Sequence, residues 1–175
     1  MLGMKNYSQD YIKKCRARVD AGLSAYTKQV GKNSSRDFEI RFFNDQVLLL
    51  DYMFVHRLMS IEGKDGNPLN EVRVLCNSLL FNQGKMQVDK LPWWPNSAGA
   101  SLKLPPEKSV LKLKVGDNIQ PSHAEFVRLA DAFFAKIKKK YLSTVAENSR
   151  WPMAHWKSGD RLRSPGRRAQ GAALA

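Results

Sequence analysis

A mainly α fold with a small β element is predicted by three observations. Apolar residues recur at helical spacing in four stretches of the chain. Two of these stretches open on explicit helix-start signals, Asn67-Pro68 and Ser122 with Glu125 three residues on. Glycines and prolines gather between the stretches, and only 110–115 carries part of a strand's alternation.

The first helix is predicted from about Ser8 to Val30. Tyr11, Cys15, Val19, Leu23 and Tyr26 fall on one face, while Lys13, Lys14, Arg16, Arg18 and Lys28 point elsewhere. Gly31 and the polar run after it, through Ser35, then stop the helix. A second helix is expected over Phe38–Glu62, with apolar residues nearly all round, from Phe42 and Phe43 through Tyr52 and Phe54 to Ile61. A helix apolar on every side needs cover on every side, from its own chain or a second copy.

Gly63-Lys64-Asp65-Gly66 reads as a tight turn whose glycines supply positive φ. Asn67 caps the third helix and Pro68 takes its first position, where a missing N–H costs nothing. This helix runs to about Asn82, with Leu69, Val72, Leu75, Cys76, Leu79 and Leu80 apolar. Joined by so short a turn, the second and third helices form a central antiparallel helical hairpin.

Pro92, Pro95, Pro105 and Pro106 exclude a long helix over 84–109, where Trp93 and Trp94 either pin the loop to the hairpin or form a contact surface. Val110–Val115 reads as a short strand or hairpin ending at the Gly116-Asp117 turn. Ser122 and Glu125 make a capping box for a C-terminal amphipathic helix. Its apolar face is Phe126, Leu129, Ala130, Phe133, Phe134, Ile137 and Tyr141. From about residue 146 periodicity ends. The organisation expected is a helical domain over 5–145 and a disordered basic tail over 146–175.

Charge separates these parts. The 175 residues carry a net +13, of which the stretch 150–175 holds +5 and the rest +8. Such a field attracts nucleic acid or an acidic protein partner. Lys136, Lys138, Lys139 and Lys140, with Arg167 and Arg168 in the tail, are the candidate nucleic-acid contacts. The lysines also suit the negative end of a helix dipole, a role that requires no ligand. Cys15 and Cys76 stand alone, without a metal-spaced Cys or His, and read as buried thiols of a reducing compartment. No run of apolar residues is long enough to span a bilayer, and no signal-peptide core opens the chain. A cytoplasmic protein without a membrane partner is expected.

The block from Phe43-Asn44-Asp45 through Leu79-Leu80, with VLKLKVGDNI and the helix after it, resembles an uncharacterised family of small bacterial cytoplasmic proteins over roughly 5–145. The resemblance implies a bacterial, cytoplasmic setting and no particular activity. The loop at Trp93-Trp94 and the tail depart from that pattern.

With the second helix reaching Glu62, the hairpin sets His56 near Arg73, Asp51 near Asn77 or Ser78, and Arg57 near Glu71. Asp51, His56, Arg57, Asn70, Glu71, Arg73 and Asn77 then line one polar seam. Asp51 paired with Arg73 or Asn77, and Glu71 paired with Arg57, would fix the register of the hairpin. Alternatively, His56 with Asp51 or Glu71 forms an acid–base site. No second ligand stands at i+3 or i+4 from His56, so no metal is expected, and no cofactor motif such as a phosphate-binding glycine loop is present. Three functions follow: an interaction or regulatory protein acting as a homo-oligomer, a nucleic-acid binder using the basic face and tail, and an enzyme on the hairpin seam.

Overall fold

In a computed structural model the described residues are 3–30, 35–63, 66–87, 104 and 106–143. The chain divides into two units, Met1–Thr144 and Val145–Ala175. The second unit lies outside the described residues, as do Trp93, Trp94, Arg167 and Arg168.

Four α-helices make up the described fold: α1 (Gln9–Val30), α2 (Arg36–Met53), α3 (Pro68–Phe81) and α4 (His123–Tyr141). The mainly α class is therefore correct. α3 packs on both α2 and α4 and forms the centre. Its Leu69, Val72, Leu75 and Cys76 are buried as the spacing requires, whereas Leu80 is exposed. The Cys76 thiol donates to the Val47 carbonyl, and Arg73 reaches Asp51, so α2 and α3 run in opposite directions. α1 lies along α4, also reversed: Arg16 pairs with Asp131 and its guanidinium sits over the Phe134 ring, while Tyr7 meets Tyr141.

The start signals act as local chemistry dictates. The Asn67 side chain accepts from the Leu69 N–H at 3.0 Å, and Asn70 reaches back to the Asn67 N–H. The Ser122 hydroxyl accepts from the Glu125 N–H, and the Glu125 carboxylate accepts from the Ser122 N–H at 2.9 Å. Gly63 and Gly66 take φ of 86° and 68°, the left-handed conformation that side chains oppose.

Two expectations are corrected. First, α2 ends at Met53 rather than Glu62. Phe54 leaves the helix and buries its ring among Tyr7, Tyr11, Phe133 and Phe134. Beyond it, Val55 and Arg57 bond to carbonyls three residues back, and 56–58 runs beside Met4. An apolar run in sequence does not distinguish one long helix from a helix and a buried turn. The hairpin register changes in consequence: of the partners expected for Asp51, Arg73 is the one it meets, and Arg73 is engaged there rather than beside His56.

Second, 110–115 is not a strand. Its backbone donors go to side chains: Val110 and Leu111 donate to the Glu71 carboxylate, Lys112 to the Ser109 hydroxyl and Lys114 to the Asp117 carboxylate. Lys112, at φ 56°, also departs from extended geometry. The pairing that does form is one antiparallel bridge between Lys85 and Asn118, flanked by bonds from Met86 to Asp117 and from Ile119 to Gly84.

Candidate functional site

The seam resolves into three separate places. The first is a buried ionic network where α2 ends. The Arg57 side chain, wholly buried, donates Nε to Glu62 at 2.5 Å and Nη1 to the Phe54 carbonyl, and pairs through Nη1 with Asp51 at 2.9 Å. Asp51 also accepts from Arg73 Nε at 3.1 Å. Glu62 accepts from Asn70, and Asn67 donates to the Glu62 carbonyl. Burial alone would depress the Arg57 guanidinium, but the Asp51 and Glu62 carboxylates hold it above its ordinary value. Two cations and two carboxylates balance, as interior charges must. Sequence reasoning brought Asp51, Arg57, Arg73 and Asn70 together but missed Glu62. Its position five residues after Arg57 was the available signal.

The second place is Glu71. It is fully buried and does not reach Arg57 or His56. Its carboxylate accepts from the Ser109 hydroxyl at 2.7 Å and from the N–H groups of Val110 and Leu111 at 2.7 and 2.9 Å. Three donors on one carboxylate make a structural clamp that ties the loop to α3. Asn77, half-buried, lies one helical turn beyond Arg73 on α3.

The third place is an open groove of about 670 Å³ between the start of α1 and the end of α2, and it is where His56 lies. Met4, Tyr7, Tyr11, Arg18, Leu49, Tyr52 and Val55 line it with His56. Tyr52 is 74% exposed, and Met4, Tyr11 and Val55 are exposed with it. The Tyr11 ring stacks on Tyr7 at 5.4 Å and its hydroxyl donates to the Met53 carbonyl, so the floor of the groove is rigid. Burial, then the neighbouring Cys15, pushes the Tyr11 phenol up to about 12. The His56 carbonyl accepts from the Met4 N–H, while its side chain is exposed. With Asp51 and Glu71 engaged elsewhere, the expected His–carboxylate arrangement does not assemble.

Tyr7, in the groove lining, is tied by its backbone to the end of α4. The Tyr7 N–H donates to the Tyr141 carbonyl at 2.7 Å and the Ser143 N–H donates to the Tyr7 carbonyl at 3.0 Å. Lys138 lies two turns along α4 from Asp131, the partner of Arg16. Lys13 lies one turn before Arg16 on α1. Lys13 and Lys138 thus lie toward the same end of the antiparallel pair, while exposed Lys14 and the groove-lining Arg18, one turn apart, lie further round α1. Lys139 is exposed on the same end turn. Sequence reasoning singled out the α4 lysines but not the aromatic groove. Tyr11 and Tyr52 are far apart in sequence and carry no motif.

Among the described residues, no group of three or more His, Cys, Asp or Glu side chains is arranged to hold a metal ion, and no helix is long and apolar enough to cross a membrane. No protein-family profile matches the chain, and neither a curated protein nor a solved structure matches it.

Proposed function

We propose that this chain is a small nucleic-acid-binding protein, acting through the end of the molecule formed by the start of α1, the end of α2 and the end of α4. One observation carries the reading: exposed Lys13 and Lys14 precede Arg16 on α1 and exposed Lys138 and Lys139 follow Asp131 on α4, so the Arg16–Asp131 pair places both basic stretches toward the same end of two antiparallel helices. Asp20 and Asp131 share the single Arg16 guanidinium, and exposed Asp10 stands one turn before Lys13 and Lys14, so the acidic groups alongside offset part of this charge and leave the lysines in excess. A surface of this kind attracts phosphates without reading sequence. Two buried, free thiols suit the reducing bacterial cytoplasm that the resemblance implies.

The test is fluorescence anisotropy of the full chain with labelled oligonucleotides. Raising the salt from about 50 to about 200 mM should weaken binding roughly a hundredfold if four or more phosphates are neutralised. Lys138→Glu with Lys139→Glu should weaken it further and flatten the salt slope. Absence of binding at low salt, or binding indifferent to salt, refutes the reading.

A second reading, self-association as a homo-oligomer, is favoured by the joint exposure of Met4, Tyr11, Tyr52 and Val55. Against it, a symmetric contact through this groove brings two basic ridges together. Sedimentation that stays monomeric at micromolar concentration excludes it.

A further inference from the structure

We infer that the groove is a stacking platform for the unpaired bases of a single-stranded nucleic acid, whose phosphates run along the α1 ridge beside it. This inference rests on the nucleic-acid reading and adds to it what kind of strand is bound and which residues discriminate. Charge alone attracts a duplex as readily as a single strand. The groove is what differs: aromatic rings open to solvent, set a short distance from cations.

Tyr52 is the most exposed large apolar residue in the described chain, on the last turn of α2. Nothing in α2's own packing requires a tyrosine there, because the buried side of that helix is made by Phe43, Val47 and Leu50. Tyr11 faces the groove with its ring already stacked on Tyr7 and its hydroxyl tied to Met53. A base stacked on it therefore costs little ordering of the protein. The exposed imidazole of His56 adds a third flat ring. Arg18 is the cation lining the groove itself, and Lys14 lies one turn before it on the same helix.

The surroundings argue for this occupant over a second copy of the chain. The groove is lined by Arg18 and, among the described residues, by no carboxylate, with Lys14 one turn before Arg18 on α1, so the complementary partner is a polyanion with apolar faces. Single-stranded nucleic acid combines phosphates with flat apolar bases, and proteins bind it by pairing a basic groove with aromatic rings. A duplex hides its base faces in its own stack and gains nothing from Tyr52.

The experiment compares a 15-mer of deoxythymidine with a duplex of the same length, both labelled, on the full chain. The single strand should bind about tenfold or more tightly than the duplex. Tyr52→Ala should weaken the single strand by about tenfold, as loss of one stacked base does elsewhere. It should leave the duplex affinity unchanged. Tyr52→Phe, which keeps the ring, should bind as the native protein does. Because Tyr52 is exposed, an unchanged melting curve will show that each variant is folded. Equal affinity for the two probes, or a Tyr52→Ala variant that binds the single strand normally, overturns the stacking platform while leaving the basic surface standing. If neither probe binds at low salt, the nucleic-acid reading falls as well.

Discussion

Replacing Arg57 by Met tests the buried ionic network. The side chain is fully buried and holds Glu62, Asp51 and the Phe54 carbonyl. Met fills similar space without the charge. Asp51 keeps Arg73 as a partner, but Glu62, 3% exposed, keeps only neutral partners, the Asn70 amide and the Tyr141 hydroxyl. An uncompensated interior charge costs about 3–5 kcal/mol. For a chain of this size that lowers the melting temperature by roughly 6–20 °C. Circular dichroism during urea and thermal unfolding measures both quantities. Glu62→Gln removes the stranded charge while retaining an oxygen for Asn70, so the double variant should recover about 1–3 kcal/mol relative to Arg57→Met alone. His56→Ala, at an exposed position on the groove, is the contrast and should shift stability by less than about 0.5 kcal/mol. If Arg57→Met costs under about 1 kcal/mol, or the double variant is no more stable than the single, the electrostatic account is wrong.

Glu71→Gln leaves a single acceptor oxygen and turns an NH₂ group toward a backbone donor. It should cost about 2–4 kcal/mol and speed hydrogen exchange at Val110 and Leu111 above that at mid-α3 amides, which NMR measures. Glu125 is held below the ordinary carboxylate range by the Ser122 N–H and hydroxyl. A carboxylate depressed on folding stabilises fully above its unfolded value, and that contribution disappears as pH falls through the folded one. Glu125→Gln should therefore flatten the acid side of the stability profile in urea titrations. Burial raises the Cys15 and Cys76 thiols above their ordinary values, so neither should react with a thiol alkylating reagent at neutral pH until the chain is unfolded, as mass spectrometry of labelled protein will report.

Local chemistry alone determined the starts of α3 and α4, whereas α2 begins at Arg36, on a Ser35 cap, rather than at Phe38. Asn67-Pro68 and Ser122 with Glu125 encode their caps within four residues, and the structure holds both. The apolar face of α4 was legible for the same reason: seven residues at helical spacing need one partner surface, and all seven are buried. Of the candidate site, the pairing of Asp51 with Arg73 was legible because the two helices had to meet. Tertiary structure alone decided where α2 stops. Phe54 and Arg57 gain more by entering the core, the one among aromatic rings and the other between two carboxylates, than they would by continuing a helix with exposed faces. The loss of the 110–115 strand was in part a long-range event, since the carboxylate that takes the Val110 and Leu111 donors is nearly forty residues away, while Lys112 and Lys114 donate to side chains only three residues off. The groove was invisible for the same physical reason. Spacing reveals which residues of one element share a face, whereas Tyr11 and Tyr52 become neighbours only when separate elements pack together.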